Sequence, residues 1–335
     1  MSVFSRWRRL RQVLKQVLRI VDVAILPVVA FSAVALKFVR RVKVQHLPIC
    51  RDTLKRLGVF PIVDHYYEPL FNHKHLERSL LDDRTIVGLD LNLDGQITFL
   101  RELDYADEIR AMPCSRDGSL RFFMHNGSFH TGDAEIYYSI IRRYRPARIV
   151  EVGSGASTLA AVEAVEKNRE EDPRYRCQIT CVEPFEQPWL ERLGVRVVRE
   201  RVERIDPAFV TELEANDILF VDSSHIIRPQ GDVCFEILEL IGRVREGVFV
   251  HFHDIFTPKD YPRRWIVDDV LFWNEQYLLE AFLAFNSDFR VVCAAHYLSY
   301  VARGELSTVC PRMAEDSDRH PGSFWIRRVA APTAA

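Results

Sequence analysis

A turn with two glycines at residues 153–155 follows an apolar run that ends in an acid. The segment 149–155 reads IVEVGSG, and a helical pattern begins directly after it. Glycines let a backbone approach a ligand closely, and a helix N-terminus offers free N–H donors. Glu151 repels a pyrophosphate but suits an ammonium group, and Thr158 stands where a dinucleotide-binding turn has its third glycine. The turn therefore favours S-adenosylmethionine over NAD. The predicted cofactor-binding residues here are Glu151, Gly153, Ser154 and Gly155.

A second acid, Glu183, ends the next apolar run, in the sequence CVEP at 181–184. It lies roughly thirty residues after the glycines, where a carboxylate in this kind of fold accepts two hydrogen bonds from a ribose diol. We therefore predict that Glu183 binds the ribose of the cofactor.

Two later apolar runs end in acids and imidazoles. Residues 217–225 read DILFVDSSH, and residues 247–254 read GVFVHFHD. In open α/β sheets, ligands bind at the carboxyl ends of the strands, so these side chains should converge beside the cofactor. Two acids with imidazoles offer ligands for a divalent ion, or a base for a substrate hydroxyl. Asp222 is also counted among the cofactor-binding residues. The predicted catalytic residues are Asp222, His225 and His253.

The elements that position these residues alternate between strand and helix from about residue 134 onward. Such alternation requires crossover connections, hence a parallel sheet covered on both faces. The last predicted strand, 323–329, follows a long irregular stretch at 294–320 without a crossover helix, so we expect it to enter the sheet antiparallel. The other predicted strands are 148–152, 178–183, 195–199, 217–222, 248–253 and 289–293. The predicted helices are 156–168, 186–193, 207–215, 232–245 and 263–285.

The first 43 residues combine basic and apolar character. They hold ten Lys or Arg against one acid, and residues 20–36 are almost wholly apolar. This apolar run is short for a straight span and contains Pro27, so it favours an interfacial or re-entrant membrane anchor drawn to anionic lipid. The alternative is an amphipathic helix packed on the catalytic domain or on a partner. No cleavage site typical of a secretory signal follows.

The net charge restricts the possible binding partners, and the cysteines restrict the cellular compartment. The net charge is −2, and the basic start leaves the rest of the chain mildly acidic, which excludes a nucleic-acid partner. The seven cysteines are odd in number and lack zinc-site spacing, so reduced thiols are expected. We predict a cytoplasmic protein at the inner face of the membrane. The predicted domains are 1–43 (membrane-associating helix), 44–120 (mixed cap), 121–330 (cofactor-binding domain) and 331–335 (tail).

These motifs together resemble the class I S-adenosylmethionine-dependent methyltransferases, and among them the macrocin- and catechol-type O-methyltransferases. The resemblance covers about residues 125–330. It implies a Rossmann-like, mostly parallel seven-stranded sheet with an antiparallel last strand, helices on both faces, and here an N-terminal helical extension. In metal-dependent members the acid after the fourth strand binds magnesium, and the pair after the fifth strand completes the site. That pair is His-Asp here, where those families have Asp-Asn, Glu-Asp or Asp-Asp. The implied ligands of Mg²⁺ or Mn²⁺ are Asp222, His253 and Asp254.

Four segments have no counterpart in that superfamily: 125–135, 228–232, 255–265 and 272–282. They resemble a narrower bacterial group of unassigned substrate that shares the N-terminal apolar segment. Trp273 and Tyr277 are interpreted as core residues. The candidates for lining an acceptor site are Tyr261, Arg263, Arg264 and Trp265.

The sequence thus predicts methyl transfer to a hydroxyl of a sugar, glycan or lipid-linked glycan, with a small molecule or glycan as partner. Two alternatives remain open. One is an NAD-binding oxidoreductase, against which Glu151 and the missing third glycine argue. The other is a catalytically silent scaffold at the membrane, against which the acids and histidines at the strand ends argue.

Overall fold

A seven-stranded sheet forms the centre of the chain, in the strand order β3-β2-β1-β4-β5-β7-β6. The computed structural model describes residues 3–65, 67–185, 187–315 and 320–329, with side chains from residue 14 onward. β7 lies antiparallel between β5 and β6, and the other neighbouring strands pair in parallel. The predicted sheet with its antiparallel last strand is confirmed. The strands are β1 Arg148–Val152, β2 Gln178–Val182, β3 Arg196–Val198, β4 Ile218–Val221, β5 Phe249–Phe252, β6 Phe289–Ala294 and β7 Phe324–Arg328.

The chain divides into two units, residues 1–77 and 78–335. Residues 78–120, which the sequence analysis assigns to a cap, belong to the second unit, which also holds the sheet. The boundaries predicted at residues 43 and 120 stay predictions, and the predicted tail 331–335 lies outside the described residues. The α-helices are α1 Val3–Arg41, α2 Pro48–Leu57, α3 Leu93–Leu100, α4 Ala106–Ala111, α5 Asp133–Tyr144, α6 Ala156–Glu171, α7 Asp232–Phe235, α8 Glu275–Leu283, α9 Ala295–Val301, α10 Arg303–Val309 and α11 Pro311–Glu315.

α1 in the first unit is one helix that continues on both sides of Pro27. Its segment Leu14–Arg41 has a mean hydropathy of 2.2 over its most apolar window, and none of that window is buried. By length and composition this helix is able to cross a membrane. Its C-terminal end is held by Arg40, whose guanidinium donates to both carboxylate oxygens of Glu68 at 2.8 and 2.7 Å.

For three predicted helices of the second unit, either the type of helix or its length is wrong. In the described part of 186–193, which begins at residue 187, and in 207–215, the helical residues form only 3₁₀ turns, Leu190–Leu193 and Pro207–Glu212. The predicted helix 263–285 is a π-helical turn, Arg264–Asp268, then an irregular segment, and then α8. Val270 and Phe272 there have φ of 54° and 55°, a left-handed conformation that interrupts a helix.

Two other stretches also differ from the expectation. The predicted helix 232–245 changes after α7 into a π-helical turn and then a 3₁₀ turn. The stretch 294–320, expected to be irregular, contains α9, α10 and α11 in its described part. These helices are short and packed on the protein, so their apolar residues show little helical periodicity in the sequence.

The core lies in two layers, one on each face of the sheet. Along β4, Ile218 and Phe220 belong to one apolar cluster, and Leu219 and Val221 belong to the other. Successive side chains of a strand point to opposite faces, so a strand covered on both sides is apolar throughout. The burial of β4 and β5 holds their carboxyl ends, and the polar residues that follow them, in fixed positions.

Glu135 links the start of α5 to α11. Its carboxylate accepts hydrogen bonds from the backbone N–H groups of Gly132 at 2.7 Å, Arg312 at 2.7 Å and Met313 at 3.1 Å. Burial raises the pKa of Glu135 to about 7. Because all three donors depend on this one side chain, Glu135 ties the start of α5 to α11.

Replacing Glu135 with glutamine is expected to lower the free energy of unfolding by about 1–3 kcal/mol, because an amide has one accepting oxygen and leaves a buried N–H without an acceptor. Urea denaturation of the full-length protein at a pH below about 7 measures this, because Glu135 is then neutral and the substitution removes no buried charge. Glu170→Gln, at an exposed residue that pairs with Lys167, is the matched control and should change little. Equal stability of the two variants would contradict the role of Glu135.

Candidate active site

The first glycine of the turn is required by the protein itself. Gly153 has a φ of 77°, and a Cβ at this position would overlap the backbone carbonyl oxygen of Asp222. The backbone N–H of Asp222 donates to the carbonyl of Val152 at 2.8 Å. The ends of β1 and β4 therefore meet at Gly153. Close approach of a ligand, which the sequence analysis gives as the reason for this glycine, is not needed to explain it.

The second glycine faces open space. Gly155 has a φ of −179°, which any residue adopts, and a Cβ there would meet only the Gln187 side chain, at 4.0 Å. Its N–H donates to Thr158 Oγ1 at 3.2 Å. Gly155 is therefore the position of this turn at which side-chain volume is added without a clash with the backbone.

Glu151 lies inside the protein, beneath this turn. It has no exposed surface, and its carboxylate accepts hydrogen bonds from the hydroxyls of Tyr137 at 3.0 Å and of Thr158. Burial raises the pKa of Glu151 to about 7. In this geometry the direct contact with an ammonium group that the sequence predicts is not available. Glu151 instead holds Thr158, and through it the turn and the first residues of α6.

A cleft of about 570 Å³ opens at the carboxyl ends of β1, β2 and β4, within the range of about 300–1,000 Å³ usual for small-molecule sites. Glu183 lies in it, half-buried, and accepts hydrogen bonds from the backbone N–H of Ser154 at 3.3 Å and of Phe185 at 3.0 Å. Asp222 also lines this cleft. The structure thus brings three of the six residues predicted to bind the cofactor, Gly153, Glu183 and Asp222, to this cleft.

Asp222, His225 and Asp254 form a cluster beside the cleft. One potential ligand atom from each lies within 4.8 Å of the others. His225 Nε2 is 3.4 Å from Asp222 Oδ1 and 3.7 Å from Asp254 Oδ2. His225 is buried, whereas the two carboxylates are partly exposed. Two oxygen donors and one nitrogen donor at these distances fit a divalent ion.

The histidine of this cluster is not the one that the sequence analysis assigns to the metal. His253 Nε2 lies 3.6 Å from Asp254 Oδ1, but the ring of His253 packs against Phe129 with its centroid 5.3 Å away. His251 stacks on Phe220 at 4.0 Å, as expected of a packed histidine. The structure therefore groups His225, and not His253, with the two acids.

Glu275 supports His225, and no pattern in the sequence indicates this role. Glu275 is buried, and its Oε2 lies 2.8 Å from His225 Nδ1. The backbone N–H groups of Asn274 and Glu275 both donate to the carbonyl of His225, at 3.0 and 3.2 Å. His225 has a φ of 60°. The start of α8 thus fixes both the backbone and the imidazole of this residue.

The cluster has a strongly negative environment. Burial lowers the pKa of His225, but hydrogen bonds with Asp222 and Glu275 raise it well above the usual value for histidine. Burial raises the pKa of Asp254. Burial also raises the pKa of Asp222, but the nearby His253 and His225 hold it below its ordinary value. Three carboxylates around one imidazole favour the presence of a further cation.

Residues 150–255, from β1 to just beyond β5, match the methyltransferase-domain family. Over these residues the chain carries a methyltransferase domain. The strand order and the antiparallel β7 of this methyltransferase domain agree with that assignment, which confirms the predicted family. An uncharacterized protein of Archaeoglobus fulgidus is 29% identical to the chain over 173 residues, which cover 48% of this chain and 76% of that protein.

Three solved structures share parts of this arrangement. The O-methyltransferase TomG from Streptomyces achromogenes, in complex with SAM, has 13% identity and a TM-score of 0.36, covering 69% of this chain and 90% of its own. An O-methyltransferase from Bacillus cereus, in complex with SAH, has 12% identity, a TM-score of 0.36 and the same coverage. CmcI-D160 with Mg and SAM has 16% identity and a TM-score of 0.34, covering 67% of this chain and 84% of its own. These likenesses are too low to decide the function of the methyltransferase domain.

Proposed function

We propose that the methyltransferase domain transfers the methyl group of S-adenosylmethionine to a hydroxyl of a sugar, glycan or lipid-linked glycan. The observation that supports this most is the position of Asp222, which lines the open cleft and also belongs to the cluster with His225 and Asp254. A donor bound in the cleft and an acceptor bound at the cluster then meet at one residue. Holding two reactants in this way supplies much of the catalysis of a transfer reaction.

The methyl donor binds along the carboxyl ends of β1 and β2. The Glu183 carboxylate accepts hydrogen bonds from the ribose hydroxyls, and the open side of Gly155 lets the donor lie against the backbone. Glu151 acts from below by holding Thr158 and the start of α6. The sulfonium of the donor supplies the methyl group, which passes to the acceptor oxygen in line with the bond that breaks.

A divalent ion is held by Asp222, His225 and Asp254. When bound, such an ion acts as a Lewis acid that eases loss of the acceptor's hydroxyl proton. Nδ1 of His225 donates to Glu275, so the lone pair of Nε2 is directed toward the two acids. This is the usual support of a metal-binding histidine by a carboxylate. If no ion binds, Nε2 takes the proton only in molecules in which His225 is not yet protonated, and its raised pKa makes these more abundant at higher pH. The two routes therefore differ in their response to chelation.

The first unit places the enzyme at a membrane. Apolar side chains of α1 are exposed along its length, among them Ile20, Val23, Val28 and Phe31. Basic residues flank this apolar segment on both sides, as in helices that bind anionic lipid. A cytoplasmic enzyme held there has access to lipid-linked glycans.

Isothermal titration of the full-length protein with S-adenosylmethionine tests the donor site, and binding in the micromolar range is expected. Gly155→Val places side-chain volume on the open side of the turn, against which the donor is proposed to lie, and should weaken binding by at least about 100-fold. Glu183→Ala removes charged hydrogen bonds of about 1.5–3 kcal/mol. Gly304→Val, on α10 in equally open space, is the matched control and should bind as the unaltered protein does.

Unaltered affinity in a folded Gly155→Val protein would refute the donor site. Binding of NAD with higher affinity than S-adenosylmethionine would support an oxidoreductase instead. Gly153→Val is not a suitable test, because its side chain would collide with Asp222 whether or not a ligand binds there.

A further inference from the structure

The segment between β5 and α8 carries a continuous aromatic cluster. The rings of Trp265 and Trp273 meet at 4.8 Å with an angle of 70° between their planes. Phe256 contacts Trp265 at 5.1 Å, and Tyr261 lies 6.4 Å from each indole. Tyr261 is buried, and its hydroxyl accepts a hydrogen bond from the N–H of Gln276 at 3.1 Å. The cluster is therefore fixed from beneath by α8.

This cluster borders the proposed catalytic centre. The Trp273 ring lies 4.3 Å from the ring of His225, which groups with Asp222 and Asp254. Trp265 and Trp273 are both half-buried, so each residue keeps some exposed surface. The sequence predicts a core role for Trp273, but such a role does not account for its exposed surface beside His225.

The backbone that presents the indoles is strained. Val270 and Phe272 adopt φ of 54° and 55°, which is unfavourable for non-glycine residues and most of all for a β-branched one. Leu271 N–H donates to the Trp265 carbonyl at 2.9 Å, so the segment folds back on itself. This return brings the two indoles into contact at a corner. Such strain is concentrated at functional sites more than elsewhere in proteins.

We propose that Trp265 and Trp273 form the subsite that holds a pyranose ring of the acceptor. This rests on the proposed function and names the part of the substrate that is recognised. The C–H face of a pyranose packs on an indole, and its hydroxyls bind planar polar side chains at the edge. Such groups lie on the same segment, where Arg264 pairs with Asp269 at 3.2 Å and Arg263 with Asp268 at 3.8 Å. A phenolic ring would instead favour an enclosed apolar slot.

Saturation-transfer difference NMR on the full-length protein tests this subsite. The sample contains SAH and a detergent that has no sugar headgroup, and its buffer is free of Mn²⁺. The probes are the methyl α-glycosides of glucose, mannose, galactose and rhamnose, with catechol as the aryl alternative. At least one glycoside should show transfer to its ring C–H protons. Trp273→Leu and Trp265→Leu should each weaken its binding by about tenfold. Phe285→Leu, at an exposed ring outside this cluster, should leave it unchanged.

The control measurement is SAH affinity, which the tryptophan variants should retain. Absence of SAH binding to the unaltered protein would refute the proposed function itself. Normal SAH binding without glycoside binding, or glycoside binding that both tryptophan variants retain, would overturn the subsite alone. If the protein binds catechol in preference to the glycosides, and the tryptophan variants lose this binding, the subsite recognises an aryl ring and the pyranose proposal is overturned.

Discussion

Asp254→Gly is expected to weaken Mn²⁺ binding by more than about 100-fold and to leave the affinity for S-adenosylmethionine unchanged. The variant removes one of two carboxylates from the cluster, and loss even of groups that only support metal ligands costs about 10–100-fold. Glycine is chosen because Asp254 has a φ of 57°, which glycine adopts without strain. Electron paramagnetic resonance of Mn²⁺ in the full-length protein measures the first quantity, and calorimetry the second.

Two histidine variants identify the nitrogen ligand. His225→Asn should lower Mn²⁺ affinity strongly, because the His225 Nε2 lies between the two acids, whereas the matched variant His253→Asn should not. Glu275→Ala should weaken binding by about 10–100-fold. Glu275→Gln should weaken it less, because the amide oxygen still accepts the Nδ1 proton. Such a rescue would separate the positioning of His225 from a general loss of structure.

Chelation separates the metal route from a histidine base. With EDTA, methyl transfer from labelled S-adenosylmethionine to a membrane glycolipid fraction should cease, and added Mn²⁺ or Mg²⁺ should restore it. If transfer is indifferent to EDTA but lost in His225→Asn, His225 is the base and the metal proposal fails.

The double variant Ile25→Asp/Val29→Asp is expected to move the full-length protein from the membrane fraction to the soluble fraction. Both positions are exposed on the apolar part of α1. An aspartate near the centre of a bilayer costs about 2.5–3.5 kcal/mol on the insertion scale, so two of them lower partitioning by about 10⁴-fold. Fractionation of cells and flotation with vesicles of phosphatidylcholine and phosphatidylglycerol measure this.

The matched control is Ile49→Asp/Leu57→Asp on α2, where both side chains are also exposed. This control should remain in the membrane fraction. If the unaltered protein is soluble and does not float with anionic vesicles, α1 is a helix that packs on a partner, and the anchor is refuted.

The sheet was predictable from the sequence because its strands are continuous apolar runs. Phe249–Phe252 and Ile218–Val221 are buried on both faces of the sheet. A strand buried in this way is apolar along its whole length, so its sequence identifies it without knowledge of its neighbours. The segments around Val270 and Pro207 were not predictable to the same degree. Their conformation depends on positive φ and 3₁₀ turns that packing imposes against local propensity.

The residues of the candidate site likewise divide into those that were predictable from the sequence and those that were not. The rule that ligands lie at the carboxyl ends of parallel strands placed Asp222 and Asp254 correctly beside each other. It was unable to choose between His225 and His253, because the φ of 60° at His225 turns that side chain back toward the acids. Glu275 is fifty positions away along the chain, and only the packing of α8 brings it to His225.

The contact between Gly153 and the Asp222 carbonyl has a thermodynamic consequence for the proposed site. The turn proposed to receive the donor and the residue proposed to bind the ion are in backbone contact there, so we expect a shift of one to affect the other. Any factor by which the donor changes the affinity for the ion must, by linkage, be the factor by which the ion changes the affinity for the donor. The order in which the two bind is then free to vary, but the free energy of the complete assembly is the same by either path.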